Sequence, residues 1–276
     1  MAGLQSLLRS FDLQPDGEGR YRAPNADDGH GVVFGGQLLG QSIVAALREH
    51  PDKRVKTVHT IFARGGRPDA DVEITVEQMH SGRAFGSSTV TISQGDRLVT
   101  RSLVLMTADE EDVIRHADPM PSVPKPEDVP VGAGTEGGDW EVRVVDGVDI
   151  SDPEAVGPPD LDVWTRFAGA PDEPATNQAL LSYVTDPFLI GTAMRPHPGV
   201  GQALAHVTLS TGVISHTLTF HEPAWPGDWL LLSHHSQYAG HGRSYGRADI
   251  FTETGELVAS FVQDNMIRAM PEGHSR

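Results

Sequence analysis

The 276-residue chain contains no cysteine. Disulfides, thiolate nucleophiles and cysteine-based metal sites are therefore excluded, although the absence says little about the compartment. Basic residues are few, 21 Lys and Arg against 38 Asp and Glu, and the formal charge is −17. Nonspecific binding to nucleic acid or to an anionic membrane needs a positive field, so neither is expected; an anionic ligand would need a local basic patch. No apolar run approaches the ~20 residues needed to cross a bilayer, and the opening MAGLQSLLRSFDLQPDGEGR lacks the basic-then-apolar order of a secretion signal. A cytoplasmic protein without a membrane span is expected. The last residues, His274, Ser275 and Arg276, do not form a peroxisomal address. Thirteen histidines occur, but without an H-E-x-x-H pattern. Strand and surface histidines are thus favoured over a metal site, and no metal or other cofactor is expected.

What is present is a repeated pattern. VVFGGQLLGQSIVAAL, from Val32 to Leu47, is apolar on nearly every face, as a buried helix is. Gly36 and Gly40 share one face of it, and each costs about 1 kcal/mol relative to Ala, which implies that something approaches the backbone closely. After a short strand near Arg20–Ala23 and this helix, strand-like runs follow at Val55–Phe62, Ala70–Gln78, Ser87–Ser93 and Leu98–Met106. Between Asp118 and Gly138 lie five prolines and little to bury, so the stretch reads as an extended linker. Beyond it the order recurs, with strands near Trp140–Val145 and Leu161–Phe167, a helical stretch within Asn177–Met194, and strands from Val207 onward.

Gly82, Arg83, Phe85, Gly86 and Gly95 each meet a counterpart 160 positions later, at Gly242, Arg243, Tyr245, Gly246 and Gly255, while Phe62 meets Phe220. So long a period indicates duplication of a whole unit rather than a solenoid. A greasy helix is buried on most sides when a curved antiparallel sheet wraps it, and two such units can join their sheets edge to edge. The expected fold is α+β, a double hot dog: residues 1–115 one unit, 116–138 the linker, 139–276 the second unit.

The strings VVFGGQLLGQSIVAAL and FHEP…DWLLLSHHS…GRSYGRADIFTETGELVASFVQDNMIR resemble the acyl-CoA thioesterase II (TesB-like) family. The resemblance covers most of both halves and leaves out the linker. It implies hydrolysis of acyl-CoA thioesters by an oriented water, with no covalent intermediate. An Asp, a Thr or Ser, and a Gln hold that water in the family. Carried over, the Asp falls on Asp186 of LLSYVTDPFLI and the Gln on Gln263 of SFVQDNMIR. The hydroxyl position, three before His216, holds Val213, and Ser215 stands where the family has an Asp.

On a regular strand Thr211, Val213, Ser215 and Thr217 share a face, which makes Ser215 and Thr211 candidate stand-ins for the missing hydroxyl. Successive same-face residues lie ~6.6 Å apart, so a stand-in would move the water. Either the partner has shifted or turnover is weak. A carboxylate can act as general base, and backbone N–H groups at a helix N-terminus can stabilise an oxyanion, a role open to Gly35 and Gly36. Each residue also has a structural reading. Asp186 precedes Pro187, a favoured capping pair; Gln263 fits a hydrogen-bonded core amide; the glycines fit close packing. Arg83 and Arg243, at matched turn positions, could contact CoA phosphates or be structural. Gly242–Gly246 fits G-x-S-x-G, but the alternation after Ser244 is that of a hairpin rather than a helix, and the first copy has Ala84 there.

The expected function is acyl-CoA thioester hydrolysis. Its alternative is a non-catalytic or weakly catalytic acyl-CoA-binding protein on the same fold, and a hydratase ranks last for want of an Asp-His pair. The acyl chain would enter between helix and sheet, CoA would lie at the surface, and a homodimer or higher homo-oligomer is expected from the resemblance.

Overall fold

The computed structural model describes residues 3–26, 29, 31–131 and 138–270. Residues 132–137, within the expected linker, lie outside this set. The first half comprises α1 (Leu4–Phe11), β1 (Gln14–Pro15), β2 (Arg20–Ala23), α2 (Gly35–Glu49), β3 (Arg54–Phe62), β4 (Val72–Ser81), β5 (Phe85–Gln94) and β6 (Arg97–Thr107). The second comprises β7 (Trp140–Val144), β8 (Asp160–Phe167), α3 (Pro174–Val184), α4 (Leu189–Met194), β9 (Leu209–Phe220), β10 (Leu230–Gly240), β11 (Arg243–Thr252) and β12 (Leu257–Ala269). Among the described residues the strands form one antiparallel sheet in the order β1-β2-β4-β5-β6-β3-β9-β12-β11-β10-β8-β7. Its two halves meet where β3 pairs with β9. The fold is a double hot dog.

The duplication extends to the irregularities of the sheet. Lys56, Met79 and Val99 are the extra residues at register shifts in the first half. Ile214, Gln237 and Val258 are their counterparts, 158 or 159 positions on. A β-bulge inserts one residue against its partner strand and switches the facing of every residue beyond it. Keeping all three at matching places preserves the inward set of both halves.

The helices sit on the inner face and pack against each other antiparallel. Gly36 of α2 lies against Tyr183 of α3, where a Cβ would stand 2.6 Å from the Tyr183 carbonyl oxygen, and Gly40 lies against Phe11 and Ala179. This is the close approach that the glycine spacing predicts. The glutamines of α2 make specific bonds. Gln37 accepts from the Ala26 N–H and donates to Asn25, and Gln41 donates to the Ser10 and Pro24 carbonyls, which ties the buried helix to the N-terminal segment. Helix α3 starts at Pro174 under a Glu173 cap that accepts from the Ala175 and Thr176 N–H groups. It ends at Val184, three residues before Pro187, which cannot continue a helix.

The expectation that the Pro-rich segment buries little is corrected. Met120, Val123 and Val129 pack with Val145, Trp164, Leu231 and Phe251 on the outer face of the second half-sheet. Trp164 Nε1 donates to the Pro124 carbonyl at 3.0 Å, and Arg143 donates to those of Pro126 and Val129. Prolines suit such a strap because each removes an N–H that would otherwise need a partner.

Candidate active site

The break between α3 and α4 creates the site. Asp186 lies in it, 7% exposed. It does not cap α4, whose N-cap is Phe188 without a side-chain bond. Its carboxylate instead meets the N-terminus of α2, in the other half of the chain, and accepts a hydrogen bond from the Gly36 N–H. Phe34, the N-cap of α2, offers no side-chain acceptor, so an acid from the second half meets an N–H that α2 leaves unpaired. Burial dominates the balance and raises the Asp186 pKa to about 7, with the Gly36 bond pulling the other way. Asp186 Oδ1 has no partner among the described residues. A Cβ on Gly35 would stand 2.9 Å from that same oxygen, so glycine is what allows the carboxylate to sit there.

Gln263 projects from β12 beneath the break. Its Nε2 donates to the Thr185 carbonyl at 2.9 Å and to that of Asp186 at 3.4 Å, so its Oε1 faces away from them, buried and unpartnered. Its cross-strand neighbour is His216. The Thr185 hydroxyl donates to the Ser182 carbonyl, so the 2.9 Å contact between His216 Nε2 and Thr185 Oγ1 has the imidazole as donor. Burial lowers the His216 pKa to about 3 and keeps it neutral. Gln263 and His216 thus hold the segment that carries Asp186. The corresponding inward positions of the first half hold Val104 and Val58. The polar arrangement occurs in one half alone.

The domain profiles decide the family. That of the acyl-CoA thioesterase N-terminal domain matches residues 23–108, and that of the acyl-CoA thioesterase C-terminal domain matches residues 115–267. The chain belongs to the acyl-CoA thioesterase family. It is similar to acyl-coenzyme A thioesterase 8 of Mus musculus, 26% identical over 87% of this chain and 81% of the mouse protein. It is likewise similar to acyl-CoA thioesterase 2 of Haemophilus influenzae, 25% identical over 96% of this chain and 98% of that protein. The solved structure of acyl-CoA thioesterase II TesB2 from Mycobacterium marinum superposes with a TM-score of 0.82 at 28% identity, covering 97% of this chain and all of that one.

Against the thioesterase pattern, β9 needs a correction. The bulge at Ile214 breaks the alternation, so Thr211 and Val213 face inward with His216, whereas Ser215 and Thr217 face outward. Ser215 donates to Asp264 on the outer surface at 2.8 Å and is not placed to replace a hydroxyl inside. Thr211 is inward, opposite Ile267, and Val213 is opposite Asn265. Arg83 and Arg243 are exposed at the ends of the β4–β5 and β10–β11 hairpins. Ser244 is followed by strand, not helix, and its Oγ accepts from Asn265. No group of three or more His, Asp or Glu side chains among the described residues is placed to hold a metal ion. Asn265, fully buried two residues beyond Gln263 on the same face, is the residue that sequence reasoning misses. Extending the strand alternation one step past Gln263 would have found it.

Proposed function

We propose that the chain hydrolyses acyl-CoA thioesters to free acid and CoA by direct attack of water, with Asp186 as general base and Gln263 as the amide that orients the water. The observation that carries this reading is the pair of buried, unpartnered oxygens, Asp186 Oδ1 and Gln263 Oε1, on groups joined through the Asp186 main chain. A buried acceptor without a partner calls for a donor, and a water has two protons to give. A base whose pKa lies near 7 is half ionised at neutral pH and still basic enough to take a proton in the transition state. The proton moves from water to Asp186 as oxygen attacks the thioester carbon; the tetrahedral intermediate then collapses with departure of the CoA thiolate. Gly35 leaves space for the carboxylate, and Gly36 orients it.

Exposed Arg83 and Arg243 are the proposed contacts for CoA phosphates. The units divide at residues 116–138, and the protein works as a cytoplasmic homodimer or higher homo-oligomer. The test is CoA release from a panel of acyl-CoA thioesters. Wild type is expected to turn over at least one, and Asp186→Asn and Gln263→Ala to lose most of that rate. Variants as active as wild type overturn the site. Inward-facing Val213 favours the second reading, a binding protein, which a wild type that binds acyl-CoA and releases no CoA would establish.

A further inference from the structure

Hydrolysis at Asp186 needs a donor for the thioester oxygen as it becomes an oxyanion, and the side chains around the site that could supply one can be taken in turn. The Gly36 N–H is taken by Asp186. Gln263 Nε2 is taken by two carbonyls, which leaves Gln263 only an acceptor to offer. His216 Nε2 points to Thr185, and its Nδ1 carries no proton in the neutral tautomer this bond selects. Val213, on the facing strand, has no polar side-chain atom. Thr211 lies one inward pair farther from Gln263, opposite Ile267.

Asn265 remains. It is fully buried, shares the inward face of β12 with Gln263, and is the direct cross-strand partner of Val213. Its Nδ2 makes one long bond, 3.4 Å to Ser244 Oγ, and its Oδ1 has no partner among the described residues. A serine hydroxyl both donates and accepts, so Ser244 can pair with Oδ1 as well, and rotating the amide about its Cβ–Cγ bond turns Nδ2 to the place where Oδ1 now lies unpartnered. The counterpart of this position in the first half is Met106, which pairs with Val55. The polar group thus belongs to the half that carries Asp186.

We infer that Asn265 is a substrate-contacting residue that donates an Nδ2 hydrogen bond to the thioester carbonyl oxygen, on the strand opposite the hydroxyl-less Val213. Asp186 and Gln263 accept hydrogen bonds from the two O–H groups of the water, Asp186 takes one of those protons as the oxygen attacks, and the Asn265 N–H stabilises the charge that the attack places on the carbonyl oxygen. The inference rests on the hydrolytic reading, but its spectroscopic test does not require turnover.

The experiment uses the full chain, with an acyl-CoA that wild type hydrolyses and a ketone analogue in which CH2 replaces the thioester sulfur. Asn265→Gly is expected to lower kcat on the order of 100-fold, as loss of an oxyanion donor does, with KM little changed. Asn265→Asp keeps the volume, puts an acceptor where a donor is needed, and is expected to be slower still. Val213→Thr in the Asn265→Gly background should return part of the rate by supplying a hydroxyl from the opposite strand. The infrared carbonyl stretch of the bound ketone is expected at lower frequency in wild type than in Asn265→Gly. Equal stretches, kcat within about twofold of wild type, or a ketone that does not bind would overturn the inference. A wild type that shows the shifted stretch yet releases no CoA would overturn hydrolysis and leave the Asn265 contact standing.

Discussion

The Asp186 carboxylate accepts a hydrogen bond from the backbone N–H of Gly36, so an acid from one half of the chain is held by the helix of the other. Neither half contains both partners. The bond orients the carboxylate without lowering its pKa to the usual range, because burial outweighs one N–H donor.

A base of this kind predicts the pH profile. With Asp186 as the proposed base the reactive form is the carboxylate, so kcat/KM should rise with pH through a midpoint near 7, where burial has placed the Asp186 pKa, and level off above it. Asp186→Asn should lose activity by about 10²- to 10⁴-fold and lose this rise. Initial rates from pH 5 to 9 check both.

The same pKa carries a stability consequence of opposite sign. The folded state holds the Asp186 proton up to about 7, whereas the ordinary value is 3.8. Between these limits the native state binds more protons than the unfolded one, so stability from this group is full in acid and declines as pH rises. Asp186→Asn removes that penalty. The variant is expected to be more stable than wild type at pH 8, by on the order of 4 kcal/mol, with the difference gone near pH 4. Urea unfolding at the two pH values measures it.

Gly35 and Gly36 should respond differently to a methyl group. At Gly36 the new Cβ meets the Tyr183 main chain at 2.6 and 2.9 Å, and neither helix can yield alone. Gly36→Ala is expected to destabilise by about 1–3 kcal/mol, as overpacking does. At Gly35 the obstacle is the Asp186 side chain, which can rotate away. Gly35→Ala is therefore expected to retain most of its stability and lose activity. Denaturation midpoints set beside CoA-release rates separate the two.

The strap across the outer face makes a further prediction. Val129 is 3% exposed and Trp164 1%, in a cluster apart from the main core. Trp164→Ala should cost about 3–5 kcal/mol, the range for a buried aromatic, and leave the pH profile of any residual activity unchanged, since the site lies on the other face of the sheet. A profile that moves with the variant would show that the outer cluster acts on Asp186.

Most of the architecture is legible in the sequence because the physics that encodes it is local and repeated. The glycine spacing of α2 forecasts a close helix contact, and Asp186-Pro187 and Gln263 stand in strings specific enough to be matched. Ser215 is misplaced by simple alternation because the inserted residue is Ile214, a β-branched side chain that reads as regular strand, and one inserted residue reverses every facing beyond it. The strap reads as an empty linker because its anchors, Met120, Val123 and Val129, are isolated among prolines. They show as apolar contacts only once the outer cluster exists to receive them. Asn265 escapes for another reason. A lone amide at a strand position looks like a surface residue unless the inward alternation of β12 is carried one step past Gln263.

At the seam of the sheet, His59 Nδ1 lies 2.7 Å from Thr217 Oγ1, and these paired residues, 158 apart in sequence, are each other's counterparts in the duplication. Closing so long a loop is entropically slow to reward, so each half is expected to collapse on its own local hairpins before the seam zips. The carboxylate and the helix end that holds it come together only after that event. Recovery of CoA release during refolding should therefore trail the recovery of β-structure, making activity a clock for the last step of assembly.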